Sequence, residues 1–181
     1  MSVTLLGWTG LLVVLGLWTL GAHNRVTALR AAILNAWAQV DGVLQARGQA
    51  LAALLSAVAA PLAAEAAAVD AVLAAQAQVQ AATELLRRAP VNPDSVAELS
   101  KADAVLAAVL VRVVALIEQQ TALLAEPAVA EPLQVLRASP ARLVFARQVF
   151  NEAGATYNGA TAQFPTRLLR SLLRFKQAGR L

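Results

Sequence analysis

Residues 143–164 read LVFARQVFNEAGATYNGATAQF, and Leu143, Ala146, Phe150, Ala153, Tyr157, Ala160 and Phe164 recur there in alternating steps of three and four. That is the period of one face of an α-helix, near 3.5 residues per repeat, and it predicts a helix over about 140–163. Pro127, Pro132 and Pro140 precede it and read as a connecting region with at most a helical turn or two around 132–137. Upstream, Leu99, Ala102, Leu106, Val109, Val113, Leu116 and Gln120 form a second stripe, expected as a helix over 95–125. The turn-forming run APVNPDS at 89–95 leads into it, with Asp94 or Ser95 as the expected cap and Glu98 placed for a capping box. The first stripe is the longest: Val26, Leu29, Ile33, Trp37, Val40, Leu44, Leu51, Leu54, Val58 and Leu62, resumed by Val69, Leu73, Gln76, Val79 and Leu86. Because Pro61 leaves the phase unchanged, one helix is expected over about 23–88, kinked or briefly broken near Ala59 and Ala60.

The expected fold is therefore all-α, an antiparallel, left-handed, coiled-coil-like bundle of three to four helices over residues 23–164. Composition agrees. The chain is 59% hydrophobic but only 4% aromatic, so its apolar content is mostly Ala, Leu and Val, and Ala and Leu lead the helix scale. The Ala-rich stretch 57–82 keeps its stripe and reads as helix, not as a disordered low-complexity segment. At 181 residues there is room for one domain and an anchor.

The anchor is expected at residues 3–22, a run of twenty without a charge, in which LLVVL at 11–15 lies between Trp8 and Trp18. As a helix the run reaches about 30 Å, the hydrocarbon thickness of a bilayer. A cleaved signal peptide is the rival reading, but no Lys or Arg precedes the run and no small-x-small cleavage site follows it. His23, Arg25, Arg30 and Arg47 all follow the span, which by the positive-inside bias favours a single-pass protein with a cytoplasmic bundle, a periplasmic or organelle-lumenal bundle being the alternative.

Charge is unevenly spread. Residues 89–136 carry two basic against six acidic side chains, residues 137–181 eight basic against one acidic. The tail, 165–181, sets Arg167, Arg170 and Arg174 apart from Leu168, Leu169, Leu172 and Leu173, with Lys176 beyond. Such a basic amphipathic helix either lies in a membrane interface or caps the bundle.

Two clusters exceed what periodicity requires. One is NAWAQVD at 35–41; the other is ARQVFN at 146–151 followed by Tyr157, Asn158, Phe164 and Pro165. With the preceding span, these resemble the LemA family of bacterial membrane proteins, along nearly the whole chain from the anchor to about Lys176. The resemblance implies an N-terminally anchored helical bundle, and some relatives are linked to magnetosome formation. The sequence departs from the family pattern at His23, where Tyr usually precedes Asn24, at 49–55, which lacks the usual Pro-Asn, and at Glu65, left from a His-Glu pair.

The family-motif residues Trp37, Gln39, Asp41, Arg147, Phe150, Asn151, Tyr157, Asn158, Phe164 and Pro165 are thus the candidate structural signature. Trp37 reads first as a core anchor, with a ligand platform as the alternative. Asn151 and Asn158, seven apart, lie along one edge of the third stripe and suggest interhelical hydrogen bonds, with Asp41 or Gln39 expected to meet Asn158 across the seam. Catalysis is not expected. There is no Cys and one His, no Gly-rich phosphate loop, and no Ser near a plausible base. No cofactor, metal or small-molecule substrate is expected, and the basic tail lacks the aromatic interleaving of a nucleic-acid surface. Expected partners are the lipid bilayer and other proteins, self-association included. The role expected is a scaffold or interaction module, or alternatively a regulatory or chaperone-like partner of a membrane enzyme such as a protease.

Overall fold

Val26, Ile33, Trp37, Val40, Leu44, Leu51, Leu54 and Val58 are buried along one side of a single helix, α1 (Ser2–Val58), in the computed structural model, which describes residues 2–163 and 177–181 and, of residues 2–6, 11 and 12, the backbone only. A short 3₁₀ turn follows at Ala63–Glu65, then α2 (Ala66–Arg88), α3 (Pro93–Glu118), the single turn α4 (Thr121–Leu124) and α5 (Pro127–Ala162). The described residues are otherwise turns and extended chain, with no strand among them.

The break at Pro61 is a full reversal, not a kink in one helix over 23–88. Asp41 on α1 pairs with Arg87 on α2, and a Cβ on Gly48 would lie 2.8 Å from Gln76 Nε2, contacts that require α2 to run back along α1. Pro61 has no N–H to continue the ladder, and its ring disfavours helical backbone at Ala60. Phase across it carried no information about direction, because both helices present their stripes to the same core.

The turn at 89–92 reverses the chain again. Its cap is Asn92, two residues before the expected Asp94 and three before Ser95: the Asn92 side-chain oxygen accepts from the Asp94 N–H at 3.2 Å, and Pro93 takes the first helical position, where its missing N–H costs nothing. α3 ends at Glu118, short of the expected 125. α5 begins at Pro127, well before the expected 140, and runs through Pro132 and Pro140.

At Pro140 the reason is visible. A residue at 140 would normally donate its N–H to the Leu136 carbonyl; Pro140 does not, and the Ser139 hydroxyl donates to that carbonyl instead, at 2.8 Å. Ser139 is buried, so without this bond the carbonyl would be sealed from water unpaired.

The four long helices alternate in direction, as an up-down-up-down bundle does. α1 packs chiefly on α5 and α2 chiefly on α3. The core joins all four: Ile33, Leu54, Leu86, Leu99, Leu106, Leu133, Phe150 and Tyr157 are among its fully buried side chains.

The bundle begins on α1 at Val26. N-terminal to it, α1 continues without interruption, and its described side chains between positions 7 and 25 are exposed, Trp18 and Ala22 partly so. Among the described residues no helix is long and apolar enough to cross a membrane. Six positions of the uncharged run, 3–6, 11 and 12, have side chains outside the described residues.

Candidate functional site

The two sequence clusters meet where α1 lies against α5. Trp37 and Phe150 are both buried, with ring centroids 6.3 Å apart and planes at 71°, an edge-to-face contact. Tyr157, two turns further along α5, is also fully buried, and its hydroxyl has no hydrogen-bond partner among the described residues. Trp37 is therefore a core anchor and leaves no ring face as a ligand platform.

Asp41 does not reach Asn158. It receives Arg87 from α2, whose Nη2 lies 2.7 Å from Oδ1 and whose Nε lies 3.1 and 3.2 Å from the two carboxylate oxygens, and Gln45 Nε2 at 2.9 Å. Glu84 holds the other Arg87 nitrogen. Hydrogen bonding to Asp41 comes first among the causes that raise the Arg87 pKa above its ordinary value, and desolvation opposes it. Gln39 is exposed and borders a shallow groove with Val43 and Arg142. The expected seam pair is ruled out by register: with Trp37 opposite Phe150 on antiparallel helices, Asn158 lies about 18 Å along the axis from Asp41 and meets the C-terminal segment instead.

Arg147 belongs to an ionic group that periodicity did not single out. Asp103 on α3 is buried and binds two guanidinium groups: Arg47 from α1 through Oδ1, and Arg147 from α5 through Oδ2 at 2.6 Å. Three helices are tied at one carboxylate. The Nε atoms of both arginines are buried without partners among the described residues. A signal existed: Arg47 lies in register between Leu44 and Leu51, and Asp103 one turn beyond Leu99, so each is a charge on an apolar stripe.

Asn151 and Asn158 hydrogen-bond to the C-terminal segment and not to α1. Each grips one residue of the C-terminal segment by both backbone groups. Asn158 Nδ2 donates to the Ala178 carbonyl at 3.1 Å and its Oδ1 accepts from the Ala178 N–H at 2.8 Å. Asn151 does the same at Leu181, with both distances 2.8 Å. Between these points Gly179 lies so close to the start of α3 that a Cβ there would be 2.7 Å from Pro93 Cα. Residues 177–181 are thus extended chain packed on the bundle, not the end of an amphipathic helix. The expected interhelical role of the two Asn side chains gives way to this one. Phe164, Pro165, Arg167, Arg170, Arg174 and Lys176 lie outside the described residues.

The family model of the LemA family matches residues 36–181. This chain belongs to the LemA family. The match opens at Ala36, beside Trp37, takes in Asp41, Arg147, Phe150, Asn151, Tyr157 and Asn158, and includes the segment held by the two Asn residues. Residues 1–35, with the uncharged run, precede it. No curated protein matches the chain. Among the described residues no group of three or more His, Asp or Glu is placed to hold a metal ion.

Proposed function

We propose that this LemA protein is a membrane-anchored scaffold, a non-catalytic module that holds other proteins, or copies of itself, at a bacterial inner membrane. One observation carries the reading. α1 leaves the bundle as an unbroken helix whose apolar side chains Trp8 (67% exposed), Val13, Val14, Leu17 and Leu20 face outward all round. Apolar side chains around the whole circumference belong in a bilayer and are costly in water. They lie within the uncharged run of twenty residues, 3–22.

A non-catalytic role is supported by where the polar groups are used. Asp41, Asp103, Arg47, Arg147, Asn151 and Asn158 are all engaged in contacts that hold helices or the tail together. The outer face of α5 instead presents Val144 and Phe145, both about two-thirds exposed, an apolar pair suited to a protein partner. A cytoplasmic placement of the bundle is supported by the excess of Arg after the span, at Arg25, Arg30 and Arg47.

Carbonate extraction of membranes tests the anchor: release of the chain into the soluble fraction overturns it. Topology reporters after Leu181 test the side. Purification from crosslinked membranes separates the roles, since a large homo-assembly supports the scaffold and a single enzyme partner supports the regulatory alternative.

A further inference from the structure

The grip of Asn151 and Asn158 on the C-terminal segment has the properties of a peptide-binding site. Two residues seven apart on a helix are separated by about 10.5 Å along its axis. Two residues three apart in an extended chain are separated by about 10 Å. The spacing of Asn151 and Asn158 therefore matches that of Ala178 and Leu181, and all four hydrogen bonds go to backbone N–H and C=O groups. Each Asn amide acts as one rung of a β-ladder, giving and accepting at a single residue. Such a clamp selects an extended backbone. Sequence is selected between the rungs: Gly154 leaves room for Ala178, whose Cβ would be 3.4 Å from a Cβ at 154, and only Gly fits at 179 against Pro93 and Val96. A groove of about 780 Å³ bordered by Val144, Gln148 and Glu152 remains open beside the bound segment.

We propose that this groove is a site for an extended peptide of the form Ala-Gly-x-aliphatic, and that it binds the C-terminal segment of a second copy of this chain in place of its own. It rests on the scaffold reading in one respect, that both copies are anchored in one membrane. The four hydrogen bonds are indifferent to which chain supplies the backbone, and the Gly required opposite Pro93 is supplied in register by every copy. Fifteen residues lie between Ala162 and Ala178, so the covalent connection spans at most about 55 Å, more than twice the roughly 20 Å across two packed helices, and does not confine the segment to its own bundle. Exchange between copies is a low-cost route to assembly, because the site already exists in one chain.

The chain has no Cys, so a disulfide can report the exchange. Full-length copies carrying Gly154→Cys and one tag are co-expressed with copies carrying Ala178→Cys and another tag, and membranes are oxidised. A Cβ separation near 3.4 Å suits a disulfide. The expected result is a species linked between the two tags, reduced by about tenfold or more when Asn151→Ala and Asn158→Ala are added, as four lost hydrogen bonds imply. The doubly substituted chain, G154C/A178C, is the control. If it links within itself while the split pair gives no link between tags, the tail stays on its own bundle and the exchange is overturned. If neither links, the groove is overturned as well, and a split-pair link that survives loss of both Asn side chains overturns it as a chance collision. Should Cys at 154 prevent folding, Gly179→Val replaces it: co-purification between tags persists when one copy carries the substitution and is lost when both do, and equal recovery in all pairings overturns the proposal. The same membranes report anchoring through their retention of the chain, so a failure of exchange is told apart from a failure of the scaffold reading.

Discussion

Ser139 supplies the Leu136 carbonyl with the hydrogen bond that Pro140 withholds. Two neighbouring residues thus form one device, a helix interrupter and its repair. Ser139→Ala alone strands a buried carbonyl and is expected to cost about 1–3 kcal/mol. In a Pro140→Ala background the N–H returns, and the same substitution should cost under about 0.5 kcal/mol. A double-mutant cycle read by urea unfolding of the full chain in detergent measures the coupling, and additive costs would refute the repair.

Asp103 neutralises a buried cation, Arg47, and a partly buried one, Arg147, at once. Asp103→Ala should destabilise the bundle by about 3–5 kcal/mol, because it leaves Arg47 and Arg147 without a counter-ion in the interior. Asp41→Ala removes a more exposed pair and should cost about 1 kcal/mol or less. Equal midpoints for the two variants in chemical denaturation would contradict this ranking.

Asp41 and Asn158 have separate partners, so Asp41→Ala and Asn158→Ala should be additive in stability. Asp41→Ala and Arg87→Ala should not be, with a coupling of about 0.5 kcal/mol or more that declines as salt is added.

Trp37→Ala and Phe150→Ala should each cost about 3–5 kcal/mol by opening the α1–α5 seam. The pair should cost less than the sum, by roughly 0.5–1.5 kcal/mol, since each single change already loses the ring contact. Thermal unfolding of the three variants checks both statements.

Val14→Arg falls on α1 outside the bundle. A cation at the centre of a span costs about 2.5–3.5 kcal/mol, so membrane retention should fall while the unfolding midpoint of the bundle stays where it was. A drop in that midpoint with membrane retention intact would place the segment in the core.

The helical frame was legible wherever an apolar stripe had a clear period, from Val26 to Val58, from Leu99 to Leu116 and from Leu143 to Ala160. What escaped was direction and continuity. Pro61 and Pro140 look alike in sequence, yet one sits between helices and the other inside one, where the Ser139 hydroxyl takes up the carbonyl that Pro140 leaves and Ala60 offers Pro61 no counterpart. The aromatic cluster was readable because large rings on a stripe belong in a core. Asn151 and Asn158 were recognisable as hydrogen-bonding residues, but their partners are peptide groups of an extended segment, which have no side-chain signature to search for. Arg47 and Asp103 stood on their stripes in plain view, and a charge in an apolar register is the pattern that finds them.

The continuity of α1 has a mechanical consequence. A helix has no swivel within it, so when residues 3–22 are embedded, a tilt imposed by the bilayer is a tilt of the whole bundle. Over 57 residues α1 is a rod of about 85 Å, built into the core from Val26 onward and, in the anchored state proposed above, held in the bilayer at its other end. Pulling or twisting at the membrane loads Trp37, Arg47 and Leu54 directly, with no slack linker to absorb it. In that state the protein would present its outer faces at a bearing fixed relative to the bilayer, and two copies in one membrane would face each other in a limited set of orientations.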